Sequence, residues 1–154
     1  MTSQHARASQ PGQAHDLIAI AQEFYRRGDA GEPGLEELFA DDAQVYFPKF
    51  GIATGKHAIH ELVNGLTTVV SSLKHLELDY LVAGRSVVVE GTTEGTTHDG
   101  GAWHGGQTPG GRFCSVFEFD DEGRITRMHV YLDPDYTSSD RERFVWGPLG
   151  ERRW

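Results

Sequence analysis

From Asp16 onward apolar side chains recur at three- and four-residue intervals: Leu17, Ile20, Ala21 and Phe24 share one face, and Arg26, Arg27 and Gly28 follow with basic charge and a glycine stop. This spacing predicts an amphipathic helix. Leu35, Leu38 and Phe39 predict a second, shorter helix ended by Asp41 and Asp42, after which residues 44–47 run extended into Pro48 as a short strand. The glycine-bounded residues 51–55 read as turn. Ile59, Leu62, Val63 and Leu66 then fall on one face of a third helix, continuing towards Leu73.

Beyond Leu73 the rhythm shortens to two residues and stays there through 75–82, 86–97, 112–119 and 124–132, which predicts four strands. Gly84-Arg85 and Asp121-Glu122-Gly123 are short turn sequences, so successive strands should pair antiparallel as a meander. The connection from His98 to Gly111 is long, with six glycines, a proline and an exposed-looking Trp103. It could be a hairpin tip, a pocket lid or a partner contact.

At 154 residues, with 38% hydrophobic and 24% charged side chains, the chain suits one globular core better than two small ones. The expected fold class is α+β, with the core in residues 14–136. Residues 1–13 are polar and aperiodic and read as a disordered leader; residues 137–154 read as an irregular tail anchored by Phe144, Trp146 and Trp154. A formal net charge of −9 and the lack of any Lys/Arg run argue against nucleic acid as a partner. No apolar stretch approaches the roughly 20 residues that span a bilayer, and the first dozen residues lack the apolar run of a secretory signal. The expectation is a cytoplasmic protein without membrane association. Cys114 is the sole cysteine, so no intrachain disulfide forms.

The order helix, helix, strand, helix and four strands, with Leu38-Phe39-Ala40-Asp41-Asp42-Ala43-Gln44-Val45, Gly55-Lys56-His57-Ala58-Ile59, Pro109-Gly110-Gly111-Arg112 and Phe119-Asp120-Asp121-Glu122-Gly123-Arg124-Ile125, resembles the nuclear-transport-factor-two-like superfamily. That superfamily includes ketosteroid isomerases, limonene-epoxide hydrolases and SnoaL-like polyketide cyclases. The resemblance covers roughly residues 16–133. It implies a cone-shaped roll, a bent antiparallel sheet wrapped round the N-terminal helices, with an apolar pocket on its concave face and often a homodimer through the outer face. It implies neither a cofactor nor a metal.

The catalytic sets of these relatives are incomplete here. The ketosteroid isomerase positions align with Phe47, Ser115 and Phe24 or Tyr25, and those of the epoxide hydrolases with Gly91, Thr93 and Val130. The SnoaL-like histidine aligns with His98, whereas its aspartate meets only Phe113, Cys114 and Ser115.

Strand alternation places Phe113, Ser115, Phe117 and Phe119 on one face of the third strand, and Thr126, Met128, Val130 and Leu132 on one face of the fourth. Phe113, Phe117, Met128, Val130 and Leu132 are therefore candidate ligand-binding residues, joined by Phe24, Phe47 and Thr93; the same pattern also describes plain core. His98 is the candidate proton carrier, since imidazole exchanges protons near neutral pH, with Tyr46 or Ser115 to hold or protonate a ligand oxygen. Glu90 and Glu94 lie about 13 Å apart along one strand, too far to act as a carboxylate pair. His57 with His60, and His98 with His104, give no three-ligand metal pattern. Asp133 and Asp135 beside Pro134 read as turn residues. Two functions follow: a cofactor-independent acid/base enzyme that isomerises, cyclises, dehydrates or opens an epoxide in a small hydrophobic molecule, or a non-catalytic ligand-binding or dimeric assembly domain.

Overall fold

The computed structural model describes residues 11–144. Helix α1, Pro11–Ala30, begins ahead of the predicted start. A proline fits the first helical position because an N–H there has no intrahelical acceptor. Residues 1–10 of the expected leader, and the expected anchors Trp146 and Trp154, lie outside the described residues. The buried side of α1 is the i, i+4 row Leu17, Ala21 and Tyr25, with Ile20 and Phe24 half-buried beside it. At its C-terminal end Arg27 Nε meets Glu23 Oε1 at 2.7 Å and Arg26 Nη1 meets Glu32 Oε1 at 2.7 Å. Arg26, with Arg27, holds the Glu23 carboxyl down at about 2.

The predicted second helix shrinks to one 3-10 turn, Leu35–Leu38, and Phe39 instead opens strand β1, Phe39–Phe47, which continues past Asp41 and Asp42 with a register shift against its neighbour between Phe39 and Gln44. The supposed turn at 51–55 contains strand β2, Gly51–Thr54, hairpinned onto β1. Helix α2, Lys56–Leu66, stops short of Leu73, and strand β3, Val70–Ala83, is already extended there. β4 (Ser86–Thr97), β6 (Arg112–Phe119) and β7 (Ile125–Leu132) follow as an antiparallel meander, with the short β5 (Ala102–His104) added to the far end of β4. β1 pairs parallel with β7, giving the order β2-β1-β7-β6-β4-β3.

The register stacks side chains in rows across the sheet. Ala53, Val45, Met128, Phe117, Val87 and Val82 form one inward row, and all but the last are buried. On the opposite face Ile52, Tyr46, His129, Val116, Val88 and Leu81 form a parallel row that runs from edge to edge, with Ile52 and Leu81 at its ends 61% and 66% exposed. A bulge at Glu77, whose φ is 52°, shifts the register of β3 between Leu76 and Asp79. It puts His75 on the same concave face as Leu78, Tyr80 and Val82, although strict alternation would separate them.

Phe117 ties these layers together, with its ring 5.5 Å from that of Phe24 and 6.0 Å from that of Tyr25. Truncation of this fully buried ring in Phe117→Ala is expected to lower unfolding stability by about 3–5 kcal/mol in urea denaturation. Gln22→Ala, exposed on α1, should stay within about 0.5 kcal/mol of the parent.

Candidate functional site

Between the concave sheet face and the two helices lies a cavity of about 450 Å³. Its walls are mainly apolar: Phe24 from α1, Phe47 from β1, Ile59 and Leu62 from α2, and Met128 and Val130 from β7. Of the candidates named from sequence, Phe24, Phe47, Thr93, Phe113, Met128, Val130 and Leu132 border this space, as do His98 and Ser115. Phe117 does not; it is sealed in the layer below, against Phe24 and Tyr25.

Tyr46 is excluded from the cavity by strand parity. Val45 and Phe47 turn inward, so Tyr46 points out, its ring 5.6 Å from His129 and 6.1 Å from Tyr131. Tyr46, expected to act on a ligand oxygen, is thus not among the residues that border the cavity. His98 is exposed at the edge of the cavity, its Nε2 2.7 Å from the carbonyl oxygen of Thr67, to which it donates. This bond ties the end of β4 to the turn between α2 and β3.

A pair unnamed in the sequence reading occupies the wall instead. Asp29 continues the buried row of α1, one i, i+4 step beyond Tyr25, and reaches His75 on β3. His75 Nδ1 lies 2.5 Å from Asp29 Oδ1, and the His75 backbone N–H donates to Asp29 Oδ2 at 3.0 Å. β3 is the edge strand, so this N–H has no strand beyond it to bond; the carboxylate satisfies it and orients the ring in one grip. With Asp29 ionised, Nδ1 carries the proton and Nε2 is left as a base, making no hydrogen bond among the described residues. The His75 ring is 4.7 Å from that of Tyr25 and 5.2 Å from that of Phe113.

Beside this pair sit two buried hydroxyls. Tyr25 is 3% and Ser115 1% exposed, both border the cavity, and their hydroxyls interact with each other without a hydrogen bond of full geometry. Burial raises the Tyr25 phenol well above its ordinary value, and the interaction with Ser115 offsets part of that rise. Tyr25 therefore stays protonated and able to donate.

The long connection packs against the sheet beside the cavity, and of its residues only His98 borders the open space. Trp103, expected to be exposed, is 3% exposed: its ring lies over Gly95, where a Cβ would overlap it, and Nε1 donates to Thr93 Oγ1 at 2.9 Å. Thr93 Oγ1 in turn donates a hydrogen bond to the Gly111 carbonyl at 3.3 Å. Tyr136 stacks on Trp103 with centroids 4.5 Å apart, and serves as the aromatic anchor of the C-terminal segment where Phe144, 66% exposed, does not. Asp133 and Asp135 cap the turn around Pro134: Asp133 Oδ1 accepts from the Asp135 N–H, and Asp135 from Ser139 and Asp140. Among the described residues no cluster of three potential metal ligands occurs, and no helix is long and apolar enough to cross a membrane.

The family model of the SnoaL-like domain matches residues 21–128. No curated protein matches. Among solved structures, a nuclear-transport-factor-two-like protein of unknown function from Burkholderia pseudomallei K96243 superposes with a TM-score of 0.67 at 19% identity, over 77% of this chain and 92% of its own. TerC, co-crystallised with polyporic acid, gives 0.66 at 21% identity over 77% and 92%. SalBIII, an epoxide hydrolase/cyclase-like enzyme with a role in pyran ring formation in the polyether salinomycin, gives 0.61 at 22% over 77% and 92%. At such identities the likeness is one of fold. The curved sheet with its N-terminal helices has the fold of nuclear-transport-factor-two-like proteins, and since the family model covers more than half of the chain, the chain belongs to the SnoaL-like family.

Proposed function

We propose that the chain is a cofactor-independent acid/base enzyme acting on a small hydrophobic molecule that carries a carbonyl or related oxygen. The observation that carries this reading is the carboxylate-held imidazole on the wall of an apolar cavity, beside the buried hydroxyls of Tyr25 and Ser115. His75 Nε2 takes a proton from a carbon next to the substrate carbonyl; the C–H electron pair moves into the new C=C bond and the carbonyl pair onto oxygen. Tyr25 and Ser115 donate to that oxygen as its charge grows, where low polarity makes each hydrogen bond count for more than in water. Asp29 holds the ring in the required tautomer and balances the imidazolium. Returning the proton to another carbon isomerises the substrate; returning it to a departing hydroxyl dehydrates it. In epoxide opening His75 Nε2 takes the proton of an attacking water or hydroxyl as its oxygen bonds to the epoxide carbon, the breaking C–O bond leaves its pair on the epoxide oxygen, and that oxygen takes a proton from Tyr25, which His75 returns; an attacking hydroxyl of the same molecule closes a ring. SalBIII, a neighbour in fold, works in pyran ring formation, which is in keeping with this range.

His98 serves at the rim in this reading. The residues aligned with the ketosteroid isomerase acids, Phe47 and Ser115, favour a second reading, a binding module in which the cavity only holds its ligand.

We further infer that two copies pair through the outer sheet face, along the row from Ile52 to Leu81. It is continuous across six strands, its ends are well exposed, and Tyr131 beside it is 52% exposed.

Deuterium exchange at the α-carbon of 2-tetralone, followed by NMR in D2O, should be accelerated by the parent protein. His75→Ala should lower that acceleration by about 10²–10⁴-fold, and Asp29→Asn should also reduce it by disturbing the tautomer. Exchange at the buffer rate with the ketone demonstrably bound would leave only the binding module. For the pairing, light scattering should find a dimer in the parent and a monomer in Val116→Glu, whose charge would be buried unpaired at the centre of the row.

A further inference from the structure

Gly91 stands in the middle of β4, and its φ lies outside the positive region, so the backbone there does not call for glycine. A glycine inside a strand weakens it, because it has no side chain to pack and loses more freedom on folding than other residues. What the position requires is empty space. A Cβ on Gly91 would stand 2.7 Å from Leu78 Cδ2, 3.0 Å from Phe113 Cε1 and 3.0 Å from the Leu76 carbonyl oxygen. Side chains from both neighbouring strands therefore lie over its bare Cα: the β3 bulge sets Glu77 and Leu78 opposite this one residue, and Phe113 pairs with it from β6.

His75 and Phe113 belong to β3 and β6, on either side of β4; His75 pairs with Thr93 and Phe113 with Gly91. Two strand spacings, about 10 Å, separate their backbones, and the two-residue offset along β4 adds about 7 Å in the other direction. Their rings nevertheless meet with centroids 5.2 Å apart and planes at 80°. Phe113 crosses β4 through the room above Gly91. Tyr25 completes the enclosure from α1, its ring 4.7 Å from the imidazole and 5.8 Å from Phe113. Asp29 holds the imidazole at Nδ1, and a single side-chain hydrogen bond leaves a ring free to swing about it; the two aromatic neighbours restrict that swing.

We infer that Gly91 and Phe113 are positioning residues for His75: the missing side chain at 91 lets Phe113 reach across β4 and, together with Tyr25, fix the direction in which Nε2 points. For its effect on rate the inference rests on the enzymatic reading, whereas the restraint on the imidazole is a property of the fold that is measured by itself. Gly91 does not border the cavity and Phe113 does, so a side chain at 91 acts on the site through Phe113.

Gly91→Val, which fills the gap, and Phe113→Leu, which adds no volume and withdraws the ring, test it. With 2-tetralone in D2O each should lower the maximal exchange rate at least about tenfold while the half-saturating ketone concentration stays within about threefold, as expected when orientation is lost and binding is kept. Both changes break the same contact, so the double variant should be within about twofold of the slower single one. The proton on Nδ1 gives a reading that does not depend on rate. In 1H NMR of the parent its signal should be sharp and far downfield, and in both variants it should broaden or vanish as the ring swings and the proton exchanges with water. Phe113→Leu with the parent's rate and Nδ1–H signal, a rise in half-saturating concentration alone, or losses that multiply in the double variant would overturn the inference. If the parent itself fails to accelerate exchange, the enzymatic reading falls and the NMR signal decides alone: lost in Phe113→Leu, it upholds the positioning; kept, it removes it.

Discussion

A concave sheet six strands wide must bury its inner face, and one helix cannot cover it. Five spacings of about 4.8 Å span some 24 Å, whereas a helix with its side chains is about 10–12 Å across. Here α1 packs on β3 and β4 through Leu17, Ala21 and Tyr25, while α2 packs on β1 and β2. The strip between them, over β6 and β7, is closed at its base by the inward row through Met128 and Phe117 and left open above. The cavity is the part of the concave face that two helices leave uncovered, and its greasy walls are the side chains that would otherwise have been core.

The same packing delivers the polar groups. The row that buries Leu17 and Ala21 continues by i, i+4 steps to Tyr25 and Asp29, so the helix ends with a phenol and a carboxylate turned towards the sheet. Asp29 meets the edge strand where its N–H would be unpaired, which blunts that edge and aims the imidazole of His75 at once. Structural and chemical requirements coincide at this contact, so removing the carboxylate disturbs both.

The fold was largely legible because its signal is the change of hydrophobic period, which depends on which face of each element is buried. What escaped depends on single backbone irregularities. In His75-Leu76-Glu77-Leu78-Asp79-Tyr80 strict alternation groups His75 with Glu77 and Asp79 on the polar face; the bulge at Glu77 reverses the parity on one side only. Tyr46 was misplaced for the related reason that the parity of β1 is set by a strand beginning at Phe39, where the apolar spacing reads as helix. Trp103 looked exposed amid glycines, yet Gly95 across the strand pair removes the side chain that would have kept its ring out. Asp29 was the one recoverable item of the site: a further step along the row from Tyr25 lands on it.

The placement of His75 is difficult to reconcile with a domain shaped for stability alone. Its backbone N–H and Nδ1 are both engaged by Asp29, its ring packs on Tyr25 and Phe113, and Nε2 makes no hydrogen bond among the described residues. An aliphatic side chain on this wall of the cavity would pack without desolvating a ring nitrogen. The open volume and the oriented imidazole suit one class of molecule, an apolar body that brings a polar atom to Nε2.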